Sequence, residues 1–394
     1  MRRYDGEMKR STDRILTTHA GSLPRPAALT ELYAARANGQ LIDEAQVMYE
    51  AEVAVNAVVS KQIEVGIDVV NNGEHPREAF FLYVQRRMSG FERGGHRTLW
   101  RDVTQFPDFL EIRNREFATR TAVSNMAPPK VTGEIHYLDQ SLIEDECIGL
   151  KQSLGQYADT FAEAFMTAPS PGIVASAIPN EYYDTFAAYL EAITHALAVE
   201  YRTIVDHGFI LQLDCPDLAM ERHITFADQS LSKFIAFIEQ VVEAINSALE
   251  SIPPEKVRLH VCWGNYEGPH DLDVPLEEIL LPILEARVGA FLFPFANPRH
   301  AHEHRCFRGN VLNDDQLLIA GVIDTTTNYI EHPQVVADRI GLAAQAVGDP
   351  TRVIAGTDCG FDSSAGMGRV AEDIVWAKLH TLHSGAELAS SRLL

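Results

Sequence analysis

A His-Val-Cys triplet ending in Cys262 and a distant Thr-Asp-Cys-Gly around Cys359 carry the residue types best suited to metal chemistry. Each follows a short apolar run that reads as a strand, over 258–262 and 352–355. Residues two apart on a strand point to the same side. His260 and Cys262 can therefore face one centre, and Cys359 can close it from a second strand end. One imidazole and two thiolates suit zinc, and three protein ligands leave one coordination position open. Spacing alone also admits a plainer reading, in which a buried His and two inert Cys fill a core.

Three more strand ends carry polar groups. In Thr17-Thr18-His19-Ala20-Gly21-Ser22 the Gly-Ser step offers backbone N–H groups for a carboxylate, or makes an ordinary turn. Asn71-Asn72-Gly73 leads to Glu74, which can take a substrate ammonium group or act as a base, or simply charge a helix start. Asp214 closes the run 210–214, a position that in a barrel is more often functional than structural. His300, His302, Glu303 and His304 form the densest His cluster. On a helix His300 and His304 would share a face, as a second metal site or, the reading preferred here, a solvated helix start. No Gly-x-Ser-x-Gly, Walker loop or CxxC pair occurs, which removes serine hydrolases, P-loop enzymes and zinc knuckles.

The elements that must hold these groups alternate between short apolar runs and long amphipathic stretches, as βα units do. Candidate strands cover 15–19, 68–71, 130–132, 210–214, 258–262, 290–293, 318–323 and 352–355. A ninth run, 172–176, is set aside because Pro169-Ser170-Pro171 leads into it like a loop. Phe186, Leu190, Ile193, Leu197, Tyr201 and Ile204 recur at helical spacing before Gly208, and Leu231, Ile235, Ile238, Val242, Ile245 and Leu249 before Pro253-Pro254. The expected fold is α/β, a single (β/α)8 TIM-type barrel domain over 1–394 with insertions in the loops at its C-terminal face. The alternative is an open doubly wound sheet, which the lack of a Gly-x-Gly-x-x-Gly weakens. Residues 1–13 read as an N-terminal extension, and 88–127 and 133–179 as insertions.

Of the 394 residues 46% are hydrophobic and 22% charged, an ordinary globular balance. The net charge of −22 argues against nucleic acid and anionic membranes as partners. The first residues lack the apolar core of a secretory signal. Five Cys, an odd and sparse count, fit a reducing cytoplasm.

Taken in order, HAGSLPRP, NNGEHPREAFFLYVQRRMSGF, LQLDCPDLAM, LHVCWGNYEGP, GVIDTTTNYIEHP and AGTDCGF resemble the C-terminal catalytic barrel of cobalamin-independent methionine synthase, over roughly residues 14–385. The chain looks most like the short single-barrel branch that also contains the epoxyalkane:coenzyme M transferases. The resemblance implies that His260, Cys262 and Cys359 bind Zn2+, which activates a thiol for attack on an alkyl carbon. It implies that Gly21, Ser22, Glu74 and Asp214 hold the amino-acid end of homocysteine. The expected activity is a zinc-dependent methyl- or alkyltransferase whose partners are a small-molecule thiol and an alkyl donor, and assembly as a homo-oligomer is left open.

Three departures matter. Pro294 stands where the synthases have a Glu ligand, so solvent, substrate or Glu303 would fill the fourth place. Thr326 stands near the position of the assisting histidine. The segment that packs on folate appears as Val131-Thr132-Gly133-Glu134-Ile135-His136-Tyr137, without a Trp, which argues against methyl-folate as donor. Two alternatives follow. In an epoxide-opening enzyme Glu134, His136 or His19 would protonate the leaving oxygen. In a zinc lyase or hydrolase the open position would hold water. A non-catalytic zinc or thiol-binding protein is the remaining reading.

Overall fold

The computed structural model describes residues 8–394. Its strands are β1 (Val69–Val70), β2 (Phe91–Glu92), β3 (Lys130–Val131), β4 (Glu163–Pro169), β5 (Ile210–Asp214), β6 (Val257–His260), β7 (Ala290–Pro294), β8 (Leu317–Ile323) and β9 (Val353–Thr357). Seven of them pair in the order β1-β4-β5-β6-β7-β8-β9, all parallel, in one curled sheet. Every residue of these seven strands is buried. Burial on both faces explains why they read as continuous apolar runs rather than alternating ones. One face meets the flanking helices. The other encloses a smaller cluster that includes Leu16, Val69, Phe165, Ile210, Leu292, Ile319 and Ile354.

The helices follow the expected periodicity. Helix Phe186–Asp206 buries Leu190, Ile193, Leu197, Tyr201 and Ile204, with Thr185 capping its start by accepting from Ala188 N–H. Helix Leu231–Ala248 buries Phe234, Ile238, Val242 and Ile245 and is capped by Ser230.

Four expectations are corrected. Residues 15–19 do not form a strand. Leu16, Thr17 and Thr18 instead reach both edges of the sheet: Ala355 N–H donates to Leu16 O (2.8 Å), Thr18 N–H to Ala355 O (2.9 Å) and Val69 N–H to Thr17 O (2.9 Å). The expected strand at 130–132 pairs antiparallel with β2, outside the main sheet. Its apolar run is too short to span the barrel wall, squeezed between Pro128-Pro129 and Gly133.

The stretch 133–179 supplies helix Ser141–Leu154 and strand β4 rather than an insertion. The Pro169-Ser170-Pro171 step has a definite meaning here. Pro169 ends β4, Ser170 Oγ accepts from Ile173 N–H (2.9 Å), and Pro171 opens helix Pro171–Ala177, where its missing N–H costs nothing. The run 172–176 is therefore helix, and the strand lies just before it.

The first seven residues of the expected N-terminal extension lie outside the described residues. Residues 8–11 are tied down: Met8 N–H donates to Glu255 O (3.3 Å), Lys9 N–H to Glu163 Oε2 (3.0 Å) and Ser11 N–H to Thr351 O (2.9 Å). Met8 joins the cluster enclosed by the sheet. Among the described residues no helix is long and apolar enough to cross a membrane.

Candidate metal centre and cleft

Parallel pairing places the chemistry-bearing residues at one end of the sheet. Asp214 and His260 are register partners at the ends of β5 and β6, Cys262 lies two residues past β6, and Cys359 two past β9. The ligand atoms of His260, Cys262 and Cys359 all lie within 4.8 Å of one another, and all three residues are buried. No other group of three or more His, Cys, Asp or Glu with metal-ligand spacing occurs among the described residues.

The three side chains behave as one electrostatic unit. A hydrogen bond from Cys359 holds the Cys262 thiol well below its ordinary value against the effect of burial, with His260 adding to the pull. Cys359 is pushed up by the same hydrogen bond and by burial. Burial would lower His260, but the Cys262 sulfur and the Asp214 carboxylate outweigh it and raise its pKa to about 10. Asp214 Oδ1 sits 2.9 Å from His260 Nδ1 and accepts from Gln212 Nε2 (2.8 Å). A carboxylate behind a ligating imidazole is the usual way to fix its orientation. A soft donor set that already favours a thiolate fits a divalent soft cation, which would take the place of the protons.

Two loops set this geometry. Thr357 Oγ1 donates to Cys359 O (2.7 Å) and accepts from Ala20 N–H (3.1 Å), closing the turn after β9. Asn265, past β6, donates through Nδ2 to Gly360 O (2.7 Å) and accepts at Oδ1 from Thr325 Oγ1 (3.1 Å).

Glu74 occupies the same cleft with an unusual backbone, φ +60°. Non-glycine residues in the left-handed region are strained, and such strain gathers at functional sites. Thr167 Oγ1 donates to Glu74 Oε1 (3.0 Å), while the buried Oε2 has no partner. Burial first, then the nearby Asp214 charge, raise its pKa to about 7. Gly21, at φ +131°, lies against this carboxylate: a Cβ there would meet Glu74 Oε1 at 2.5 Å. Ser22 lines the cleft with Glu74, Asp214, His260, Cys262 and Cys359.

The three proton-donor candidates are not brought here. Glu134 and His136 pair with each other at 3.2 Å, with side chains 65% and 64% exposed, and neither lines the cleft. His19 is buried, and Gly21 N–H donates to its Nδ1 (3.2 Å). Its proton therefore sits on Nε2, which donates to Gln62 Oε1 (2.8 Å). Burial lowers its pKa to about 4, so it is a neutral brace for the Gly21 turn.

The His300 cluster is no second centre. His300 donates to Glu303 Oε2 (2.7 Å) and Asp273 Oδ2 (2.8 Å), and Asp273 also pairs with His270 (2.9 Å) and His223 (3.3 Å). Glu303 is committed to His300 and Leu276 N–H, so it does not serve the metal centre. Pro294 and Thr326 border the space beside Cys262 and Cys359.

Spacing-based reasoning missed the far wall of the cleft. Arg97, Trp100, Arg113, Phe117 and Met126 line it from the 88–127 excursion, opposite in origin to the strand ends. Trp100 stacks on Tyr266 (4.9 Å between ring centroids), and the Tyr266 hydroxyl donates to Asp102. Their only signal in the sequence was the length of the excursion.

A curled parallel seven-stranded sheet with one His and two Cys converging at its C-terminal strand ends defines a TIM-like α/β protein with a candidate soft-metal site. No protein-family profile matches the chain. Similar curated proteins do: it is 27% identical over 274 residues to the methionine synthase of Sulfolobus acidocaldarius, covering 68% of this chain and 67% of that one. Against the methionine synthase of Saccharolobus solfataricus it is 23% identical over 382 residues, covering 96% and 95%. Among solved structures, a B12-independent methionine synthase from Shewanella sp. W3-18-1, in complex with selenomethionine, superposes with a TM-score of 0.70 at 21% identity, covering 96% of this chain and 99% of that one. A putative B12-independent methionine synthase from Listeria monocytogenes gives 0.64 at 20% identity, covering 97% and 99%. Over nearly its whole length the chain is thus similar to curated methionine synthases, and it shares the fold of B12-independent ones.

Proposed function

We propose that this protein is a zinc-dependent methyl- or alkyltransferase that uses homocysteine or a related amino-acid thiol as acceptor. The observation that carries the reading is the convergence of His260, Cys262 and Cys359 within 4.8 Å beside the unpartnered Glu74 Oε2. Zinc bound by these three residues would keep the acceptor's thiol deprotonated near neutral pH, with the fourth position left to the substrate.

The chain's own residues do the remainder. Glu74 Oε2 accepts from the ammonium group of the thiol substrate, held in place by Thr167. Gly21 leaves the room that this carboxylate needs, and Ser22 and the neighbouring backbone face the substrate carboxylate. Asp214 Oδ1 orients His260, and the residue lines the cleft where it can also face the substrate. With the sulfur placed, the far wall needs only to hold the donor in line. The sulfur–carbon bond then forms as the bond to the leaving group breaks, and the bonding pair departs with that group.

The epoxide-opening alternative requires an acid at the cleft. Glu134 and His136 lie outside it and His19 is neutral and doubly hydrogen-bonded, so none of the three acids proposed for that reaction is in place. We also read the sheet as an eight-stave barrel in which Leu16–Thr18 is a degenerate first stave, consistent with hydrogen bonds to both edges. The short single-barrel branch, a single domain and a cytoplasmic location complete the proposal.

The test is metal analysis with binding. Purified protein should hold about one zinc per chain, and Cys262→Ser and Cys359→Ser should each lose it together with thiol alkylation. Zinc-free active protein, or full zinc retention in folded Cys359→Ser, would reject the proposal.

A further inference from the structure

Three guanidinium groups line the far wall of the cleft, and their partners differ. Arg97 pairs with Glu221 at 2.8 Å. Arg369 pairs with Glu267 at 2.7 Å and Glu116 at 3.4 Å. Arg113, on helix Pro107–Phe117, makes no ion pair among the described residues and is only 7% exposed. Its Nη1 is buried without a hydrogen-bond partner. Its guanidinium lies among three rings, 4.6 Å from the centroid of Trp100, 5.5 Å from Phe117 and 5.7 Å from Tyr266. The rings hold the guanidinium in place while Nη1 remains unbonded.

A buried arginine without a carboxylate is costly unless something else supplies the anion. Burial first and then repulsion from Arg369 lower its pKa, and the Tyr266, Asp102 and Glu116 groups, none of them bonded to it, offset only part of that. The same groups that make the bare cation unfavourable make uptake of an oxyanion favourable, in the planar two-bond geometry that arginine offers. The cleft lining from this side also includes the apolar and aromatic side chains of Trp100, Phe117, Met126 and Tyr266.

We propose that Arg113 binds an oxyanion on the second substrate, so that the alkyl donor is a carboxylate- or sulfonate-bearing molecule whose apolar body rests on the Trp100–Tyr266 wall. This rests on the transferase reading, which gives the Glu74 end of the cleft to the thiol. The excursion 88–127 thereby becomes the donor-selecting element, and Arg113 its specificity determinant.

The experiment uses zinc-loaded full-length protein and calorimetric titration with benzoate and benzenesulfonate, which distinguish the two oxyanions, against benzyl alcohol as neutral counterpart. Each titration is run with and without saturating homocysteine. At least one anion should bind in both conditions, and benzyl alcohol tenfold or more weaker, the scale of a charged hydrogen bond. Arg113→Gln should weaken the anion about tenfold or more, and Arg113→Lys less, because charge is kept and the fork lost. Homocysteine affinity should not change in either variant. The proposal is overturned if benzyl alcohol binds as well as the anions, if Arg113→Gln has no effect, or if homocysteine and the anion exclude each other. That last result would assign Arg113 to the thiol's own end. Failure to load zinc or bind homocysteine rejects the transferase reading separately, because the benzoate and benzenesulfonate arms still report on Arg113.

Discussion

Glu74 and Asp214 are both carboxylates at the same cleft, and their hydrogen-bond partners differ. Asp214 is committed to His260 and Gln212, whereas Glu74 keeps one buried oxygen free. For Asp214→Asn we expect zinc affinity to fall roughly 10–100-fold, the usual effect of removing a partner behind a ligating His, measured by competition with a chromogenic chelator. For Glu74→Gln the loss of a charge-assisted bond should weaken homocysteine binding about tenfold or more. The pH dependence separates this from a packing defect. With its pKa raised to about 7 from an ordinary 4.5, Glu74 is protonated below that value and cannot take an ammonium group. Homocysteine affinity should rise with pH through about 7 in the parent, and less steeply in Glu74→Gln, where only release of the thiol proton remains. A parent profile flat from pH 6 to 8 would contradict the assignment.

At the scale of elements, loops fasten the site to the sheet. The turn after Leu16–Thr18 needs glycine at 21, because φ is +131° and a side chain would collide with Glu74 and with Thr167 Cγ2 at 2.7 Å. Gly21→Ala should therefore impair homocysteine binding more than folding, seen as a raised Kd with a melting temperature shifted only a few degrees. The loop after β6 is anchored differently. Asp273 gathers His223, His270 and His300, and hydrogen bonds from all three hold its carboxyl well below the usual range despite burial. Removing it in Asp273→Ala leaves buried imidazoles that have lost their counter-charge, and should cost on the order of 3–5 kcal/mol in denaturant unfolding. The same spacing that drew attention to His300 and His304 separates them. The segment is a turn followed by a short 3-10 helix, Glu303–Phe307, so His304 turns back to Ala301 O (2.9 Å) while His300 faces Asp273.

Across the whole molecule, the interior holds ionisable groups that tie stability to pH. Asp217 accepts from Ser170 Oγ (2.6 Å) but leaves Oδ2 unpaired, and burial raises its pKa from 3.8 to about 7. A folded-state pKa above the unfolded one means that the native state holds the proton more tightly. This group's contribution is full below about pH 4 and is lost as pH rises through about 7. Thermal melts of Asp217→Asn should lose part of the fall in stability between those limits. An unchanged slope would show that other groups govern it.

Much of the fold was legible because local signals and burial agree. Strands β7 and β8 are apolar throughout, β5, β6 and β9 keep Val, Ile or Leu alongside Gln212, Arg258 and Thr357, and the two long helices carry stripes that need no tertiary information. Strand β4 was not legible: Glu163, Thr167 and Pro169 dilute its apolar run, and its buried position comes only from pairing with β1 and β5. The site divides in the same way. Types and spacing alone singled out His260, Cys262, Cys359, Glu74 and Asp214, because side chains at strand ends inherit their direction from the strand. Only the tertiary structure separated Asp214 from Glu74, retired His19, Glu134 and His136 from the cleft, and brought Arg113 and Trp100 into it. Those outcomes depend on contacts between segments far apart in sequence, from excursions whose path no local periodicity records.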